Sequence, residues 1–95
     1  MKLEKSKNPL KKYDAVFDDG RRISFGGVRR DGTPYDDYTL GASDQKREAY
    51  LKRHSAMEDF ENPYTAGSLA AWILWGSTRS VQKNLDAYRK HFHLE

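Results

Sequence analysis

The sequence predicts an α+β domain: an N-terminal antiparallel β-hairpin, with room for a short third strand, packed on three α-helices. Three observations predict it. Residues 12–25 read as two alternating strands around Asp18-Asp19-Gly20, a hairpin signal. Residues 64–76, Tyr64-Thr65-Ala66-Gly67-Ser68-Leu69-Ala70-Ala71-Trp72-Ile73-Leu74-Trp75-Gly76, form the one long apolar run and hold both tryptophans. Val81, Leu85, Tyr88 and Phe92 recur at i, i+4, i+7 and i+11, one face of a helix. A chain that is 37% hydrophobic and 33% charged must build its core around that run.

The elements follow in order. Residues 1–11 are lysine-rich and interrupted by Asn8-Pro9, and they read as a mobile basic arm ahead of one domain, 12–95. In the hairpin, a two-residue loop would pair Phe17 with Arg22 and mix apolar with polar. A three-residue loop, 18–20, pairs Phe17 with Arg21, Ala15 with Ile23 and Tyr13 with Phe25. That leaves one coherent face to bury and puts Gly20 in the left-handed position of a G1 bulge. Residues 28–42 read as a loop with a turn at Gly32-Thr33-Pro34, and Tyr38-Thr39-Leu40 is the candidate third strand. Ser43 caps a helix running to about Glu58, with Tyr50, Leu51, His54 and Met57 inward. Asn62-Pro63 stops it. Thr65 caps the apolar run, which is apolar on nearly every side and therefore central. Gly76 ends it, and Ser77 caps the last helix.

Composition removes several function classes. The 95 residues make one domain, burying roughly 65% of the surface of the unfolded chain. With no cysteine there is no disulfide, thiolate metal site or cysteine nucleophile. The apolar run falls short of the ~20 residues that span a bilayer, and no membrane partner is expected. The charged start reads as no secretory signal, and an intracellular location is expected. Net charge is only +3, but the cations come as adjacent pairs: Lys11-Lys12, Arg21-Arg22, Arg29-Arg30, Lys46-Arg47, Lys52-Arg53 and Arg89-Lys90. Collected on one face they would attract polyanions; scattered, they are solvated surface.

From Lys11 to Phe92 the chain resembles small uncharacterised proteins of large DNA viruses of algae and protists. The matching pieces are Lys12-Tyr13-Asp14-Ala15-Val16-Phe17, Gly20-Arg21, Phe25-Gly26, Asp37-Tyr38-Thr39, Asp44, Tyr50-Leu51, Arg53-His54, Glu58, Thr65-Ala66-Gly67 and Trp72-Ile73-Leu74-Trp75, with Tyr88 and Phe92 closing the last helix. The loop Arg29-Arg30-Asp31-Gly32-Thr33-Pro34 is longer than that pattern. The resemblance implies a viral origin and a compact fold, and it transfers no catalytic residue.

Five constellations carry a chemical reading beside a structural one. His54 and Glu58, four apart on a predicted helix, make either a base with its orienting carboxylate or a pair that fixes the helix. No nucleophile or oxyanion motif accompanies them, so the structural reading is preferred and no catalytic residue is assigned. His54, His91 and His93 lack the i, i+4 spacing of a metal pair, and neither metal nor cofactor is expected. Gly20, Gly26, Gly27 and Gly32 show no phosphate-loop spacing and fit turns. The last two helices read as a core hairpin; as a helix-turn-helix they would offer Gln82 and Asn84 to adenine edges. Trp72 and Trp75 read as core in preference to an exposed ridge.

The functional expectation is a non-enzymatic viral accessory protein that binds polyanions, nucleic acid foremost. Arg21, Arg22, Arg29, Arg30, Lys46, Arg47, Lys52 and Arg53 are the expected phosphate contacts, beside aromatics that stack bases. The alternative partner is a protein, with the chain a minor virion component or a host-factor binder. The oligomeric state is not specified by the sequence.

Overall fold

The computed structural model describes Met1–Glu95. Strands β2 (Lys11–Val16) and β3 (Arg22–Gly27) pair Tyr13 with Phe25 and Ala15 with Ile23. This is the register that the three-residue loop demands. The Phe17 N–H donates to the Arg21 carbonyl at 2.9 Å, and Gly20 takes φ +92°. One face of the pair carries Ala15, Phe17 and Phe25 into the core.

Where the sequence predicts a mobile arm, Lys2–Lys5 forms strand β1, antiparallel to β2. The alternation Lys2-Leu3-Glu4-Lys5 explains it: Leu3 lies opposite Ala15 and packs on the core, and Glu4 lies opposite Asp14 on the polar face. The third strand of the sheet therefore comes from the start of the chain, in the order β1-β2-β3. Residues Tyr38–Leu40 form instead a 3₁₀ turn, because the Asp37 carboxylate accepts the Thr39 and Leu40 N–H groups.

Helix α1 (Asp44–Ser55) starts at Ser43, whose hydroxyl accepts the Lys46 N–H. It ends before Glu58, and Met57 is 76% exposed, outside the inward stripe. Tyr50 is held between His54 and Trp75, with ring centroids 4.1 and 4.3 Å away. Helix α2 starts at the Thr65 cap as Ala66–Leu69 and widens into a π-helical turn over Ala70–Leu74, closed by the Trp75 N–H on the Ala70 carbonyl. Leu69, Ile73 and Leu74 are buried there, each burial contributing roughly 1.5–3 kcal/mol. Trp75 is buried and the Trp72 indole N–H donates to the Phe60 carbonyl, so both tryptophans belong to the core.

Helix α3 (Val81–His91) is capped by Ser80, not Ser77. The shift follows from Asn84. Its side chain is buried, donates to the Ile73 and Thr78 carbonyls, and accepts the Thr78 N–H and hydroxyl. Residues 76–80 are thereby a fixed connector. Asn84 faces inward and Gln82 bonds Asp86, so α2 and α3 form a core hairpin and Asn84 offers nothing to a base.

The polar face of the sheet centres on Asp14, 2% exposed. The Ser24 and Ser6 hydroxyls donate to it, the latter at 2.7 Å, and Arg22 donates at 3.0 Å. These bonds, Ser24's foremost, hold its carboxyl down at about 2. A carboxyl lowered in the folded state contributes stability that is present above its unfolded value near 4 and lost as pH falls toward 2. Asp14→Asn should therefore flatten the pH dependence of unfolding free energy in that window by about one proton, read from urea melts at stepped pH. An unchanged slope would show that Asp14 is not the group titrating.

Candidate nucleic-acid interface

Two short connections meet at one end of the sheet. Residues 6–10 join β1 to β2 in a turn held by side chains: Ser6 Oγ accepts the Asn8 N–H, and Asn8 Oδ1 accepts the Leu10 N–H. Chain leaving β3 docks beside it, the Val28 N–H donating to the Leu10 carbonyl at 2.9 Å. It then doubles back through Gly32 (φ +89°), with Val28 bridged to Pro34 and the Arg29 N–H on the Thr33 carbonyl.

This geometry gathers cations that lie far apart in sequence. Lys5 ends β1, Lys7 sits in the turn, Lys11 opens β2, and Arg29 and Arg30 follow β3. Adjacent strands are about 4.8 Å apart, so the sheet is roughly 10 Å wide here. Duplex DNA presents a phosphate per strand about every 3.4 Å of its axis, so a few successive phosphates span that width. None of these five residues forms an ion pair; the chain's Lys and Arg ion pairs lie on Lys2, Lys12, Arg21, Arg22, Lys46 and Arg79. The Arg29 guanidinium lies 4.2 Å from the Tyr35 ring centroid and donates to the Pro34 carbonyl. Asp31, in the same loop, is engaged by the Thr33 N–H, which with the Thr33 side chain holds its carboxyl below the usual range.

Between the turn and residues 28–40 runs a groove of about 640 Å³, bordered by Lys5, Lys11, Ser6, Asn8 and Thr39. At its floor Lys12 is bonded to Asp37 at 2.6 Å and to the Tyr35 carbonyl at 2.5 Å. Asp37 is 1% exposed and already caps the 3₁₀ turn. The one carboxylate in the groove is thus matched, and the uncompensated charge on the rim is positive.

The other expected contacts stand elsewhere. Arg21 is at the opposite end of β3, paired with Asp19 at 2.9 Å and lying over the Tyr64 ring. Arg22 beside it bonds Glu4 and Asp14. A six-residue strand separates that pair from Arg29 and Arg30, about 20 Å. Lys46 pairs with Asp36. Arg47 spends its Nε–H on the Trp75 and Gly76 carbonyls, closing the end of α2. Lys52 is exposed on α1. Arg53 borders a second cleft of about 410 Å³ that shares Lys12 and Asp37 with the groove. The eight residues do not form one surface; Arg29 and Arg30 join three lysines instead.

His54 and Glu58 border the second cleft, but each has a packing role. His54 stacks on Tyr50, and the Glu58 carboxylate occupies the space where a side chain at Gly67 would start. His91 bonds Glu61 and lies 4.6 Å from the Trp72 ring. No cluster of His, Asp and Glu has the composition and closeness to hold a metal ion.

Lys5 and Lys7 are the members that doublet spacing does not single out, and Lys11, of the Lys11-Lys12 doublet, is not among the expected contacts. The signal for Lys5 and Lys7 is the alternation of residues 2–5 followed by Asn8-Pro9, a strand and a turn.

Fold and groove together define a small α+β domain with a three-stranded sheet and a lysine-bordered groove at its turn end. Residues 1–54, more than half of the chain, match the model of DUF5754, a family of unknown function, and the chain belongs to that family. The matched stretch holds all three strands, the groove cations and nearly all of α1. No curated protein and no solved structure matches the chain. No helix is long and apolar enough to cross a membrane.

Proposed function

We propose that this chain is a non-enzymatic viral accessory protein that binds polyanions, nucleic acid foremost, in the groove at the turn end of the sheet. One observation carries the reading. Lys5 and Lys11 border the groove and Lys7, Arg29 and Arg30 follow at the same end of the sheet, all without carboxylate partners, whereas Arg21, Arg22 and Lys46 are paired. Viral origin, and action in the infected cell or virion, rest on the resemblance to proteins of large DNA viruses. The absence of catalysis is supported by the packing roles of His54 and Glu58.

If all five cations meet phosphates of duplex DNA, log K should fall against log salt with a slope of roughly −4 to −5. Fluorescence anisotropy of a labelled duplex across a salt series measures it. Binding absent at low salt, or indifferent to salt, sinks the reading.

A protein partner is the second reading, favoured by Leu10 and Leu40, which stand 43% and 55% exposed beside the same cations. An acidic segment with apolar residues would fit both features. Leu10→Ser with Leu40→Ser would then abolish partner binding, whereas nucleic-acid affinity should stay within about threefold because phosphate contacts are electrostatic.

A further inference from the structure

Arg89, in the last turn of α3, is a cation that the groove does not use. Its Nε–H is shielded from solvent and has no acceptor in the protein; no other buried side-chain nitrogen or oxygen is left that way. The other partly covered lysine and arginine have acceptors: Lys12 on Asp37, and Arg47 on the Trp75 and Gly76 carbonyls. Leaving a buried donor unmatched is unfavourable, and folded proteins rarely keep one without a reason.

The surroundings supply a reason. Arg89 borders a pocket of about 320 Å³ between β1 and α3, with Lys2 and Lys5 on the strand side. Its single carboxylate is Glu4, already engaged by Lys2 and Arg22. Leu3, Val81 and Leu85 give it an apolar wall. Asp86 and Glu95 flank Arg89 on another side, yet neither forms an ion pair with it, and Asp86 accepts a bond from Gln82. Lys5 and Arg89, neither with a carboxylate partner, beside one neutralised acid make a pocket for a negative group. Guanidinium offers a planar fork to phosphate oxygens, and lysines add point charges.

We propose that this pocket is an oxyanion subsite that takes a phosphate group, its apolar wall covering the attached sugar or base. Lys5 borders both this pocket and the groove. A nucleic-acid strand lying in the groove therefore continues into the pocket, a step that rests on the polyanion reading.

The Arg89 Nε–H resonance of the full chain, followed by ¹H–¹⁵N NMR, tests this. The probes are inorganic phosphate, AMP and a short oligothymidylate. The signal should shift and saturate with all three, AMP at lower concentration than phosphate, and Leu3 and Val81 should shift with AMP. Arg89→Gln should abolish these shifts and reduce the oligothymidylate salt slope by about 0.7. If that variant does not fold, Lys5→Gln should weaken phosphate and AMP binding several-fold. An Arg89 signal unmoved by all three probes, or one that answers Asp86→Asn or Glu95→Gln and not phosphate, overturns the subsite. Oligothymidylate binding with Arg89 silent overturns the subsite alone and leaves the groove. Phosphate and AMP shifting Arg89 while no oligothymidylate binds supports the subsite and overturns the polyanion reading.

Discussion

Asn84→Ala should lower the melting temperature by roughly 12–24 °C, the largest stability effect expected of a single polar replacement in this chain. The side chain is buried and joins three pieces of backbone: the Ile73 carbonyl at the end of α2, the Thr78 N–H and carbonyl in the connector, and α3 itself. Alanine strands those groups out of reach of water. Each buried group left unpaired costs about 1–3 kcal/mol, and partial relaxation of the connector makes about 3 kcal/mol a reasonable total. For a domain of this size each kcal/mol moves the midpoint by roughly 4–8 °C. Gly76→Ala attacks the same knot from the other side. Its Cβ would press on the Trp72 carbonyl oxygen and stand 2.7 Å from Asn84 Cγ, so backbone must move. Gln82→Ala, exposed two residues earlier, should stay within about 0.5 kcal/mol of the parent. Scanning calorimetry on the three variants decides it. An Asn84→Ala midpoint within about 3 °C of the parent, less than 1 kcal/mol would produce, would mean that the connector is held by something else.

Why Asn84 escapes a sequence reading is instructive. Its position in α3, one residue before Leu85, suggests only a helix residue beside the apolar stripe. Ser77, Thr78 and Ser80 all suit a helix start, and local propensity does not rank them. The choice falls to Ser80 because the Asn84 amide must reach back to Ile73 and Thr78. By contrast the hairpin register is legible from the residues alone, since one loop length puts Ala15, Phe17, Ile23 and Phe25 on a single side. The amphipathic stripe of α3 is legible for the same reason. Strand β1 is hidden by its lysines: Leu3 is its only apolar residue, and charge outweighs a period-two pattern of four residues. The π turn in α2 has no residue signal, because an apolar run fits a wide helix as well as a tight one.

The candidate site is half legible for a related reason. Adjacent charges in sequence are not neighbours in function. Side chains alternate along a strand, so Arg21 and Arg22 part company: one lies over Tyr64, the other serves the polar face around Asp14. Lys12 turns to Asp37 while Lys11 borders the groove. What gathers charge is the order of the strands, which brings the β1–β2 turn beside the exit of β3. Lys11, Arg29 and Arg30 come from the doublets; Lys5 and Lys7 come from topology.

That distinction gives the second large effect. Replacing Lys11, Arg29 and Arg30 together with glutamine should weaken duplex DNA binding on the order of 100-fold at low salt, and reduce the salt slope by about three, one for each phosphate no longer neutralised. Stability should change little, since none of the three holds a carboxylate; the packing of Arg29 on Tyr35 is worth about 0.5–1 kcal/mol at an exposed site. Arg21→Gln is the matched control. It removes a cation of the same kind at the far end of β3, where Asp19 already balances it. Anisotropy titrations at several salt concentrations compare the two. If binding is a property of the groove, the triple variant loses it and Arg21→Gln keeps it within about threefold. Equal losses per charge at both ends would mean that affinity comes from the diffuse field of a net +3 chain. Convergence of Lys5, Lys7, Lys11, Arg29 and Arg30 would then have no functional consequence, however orderly the turn that produces it.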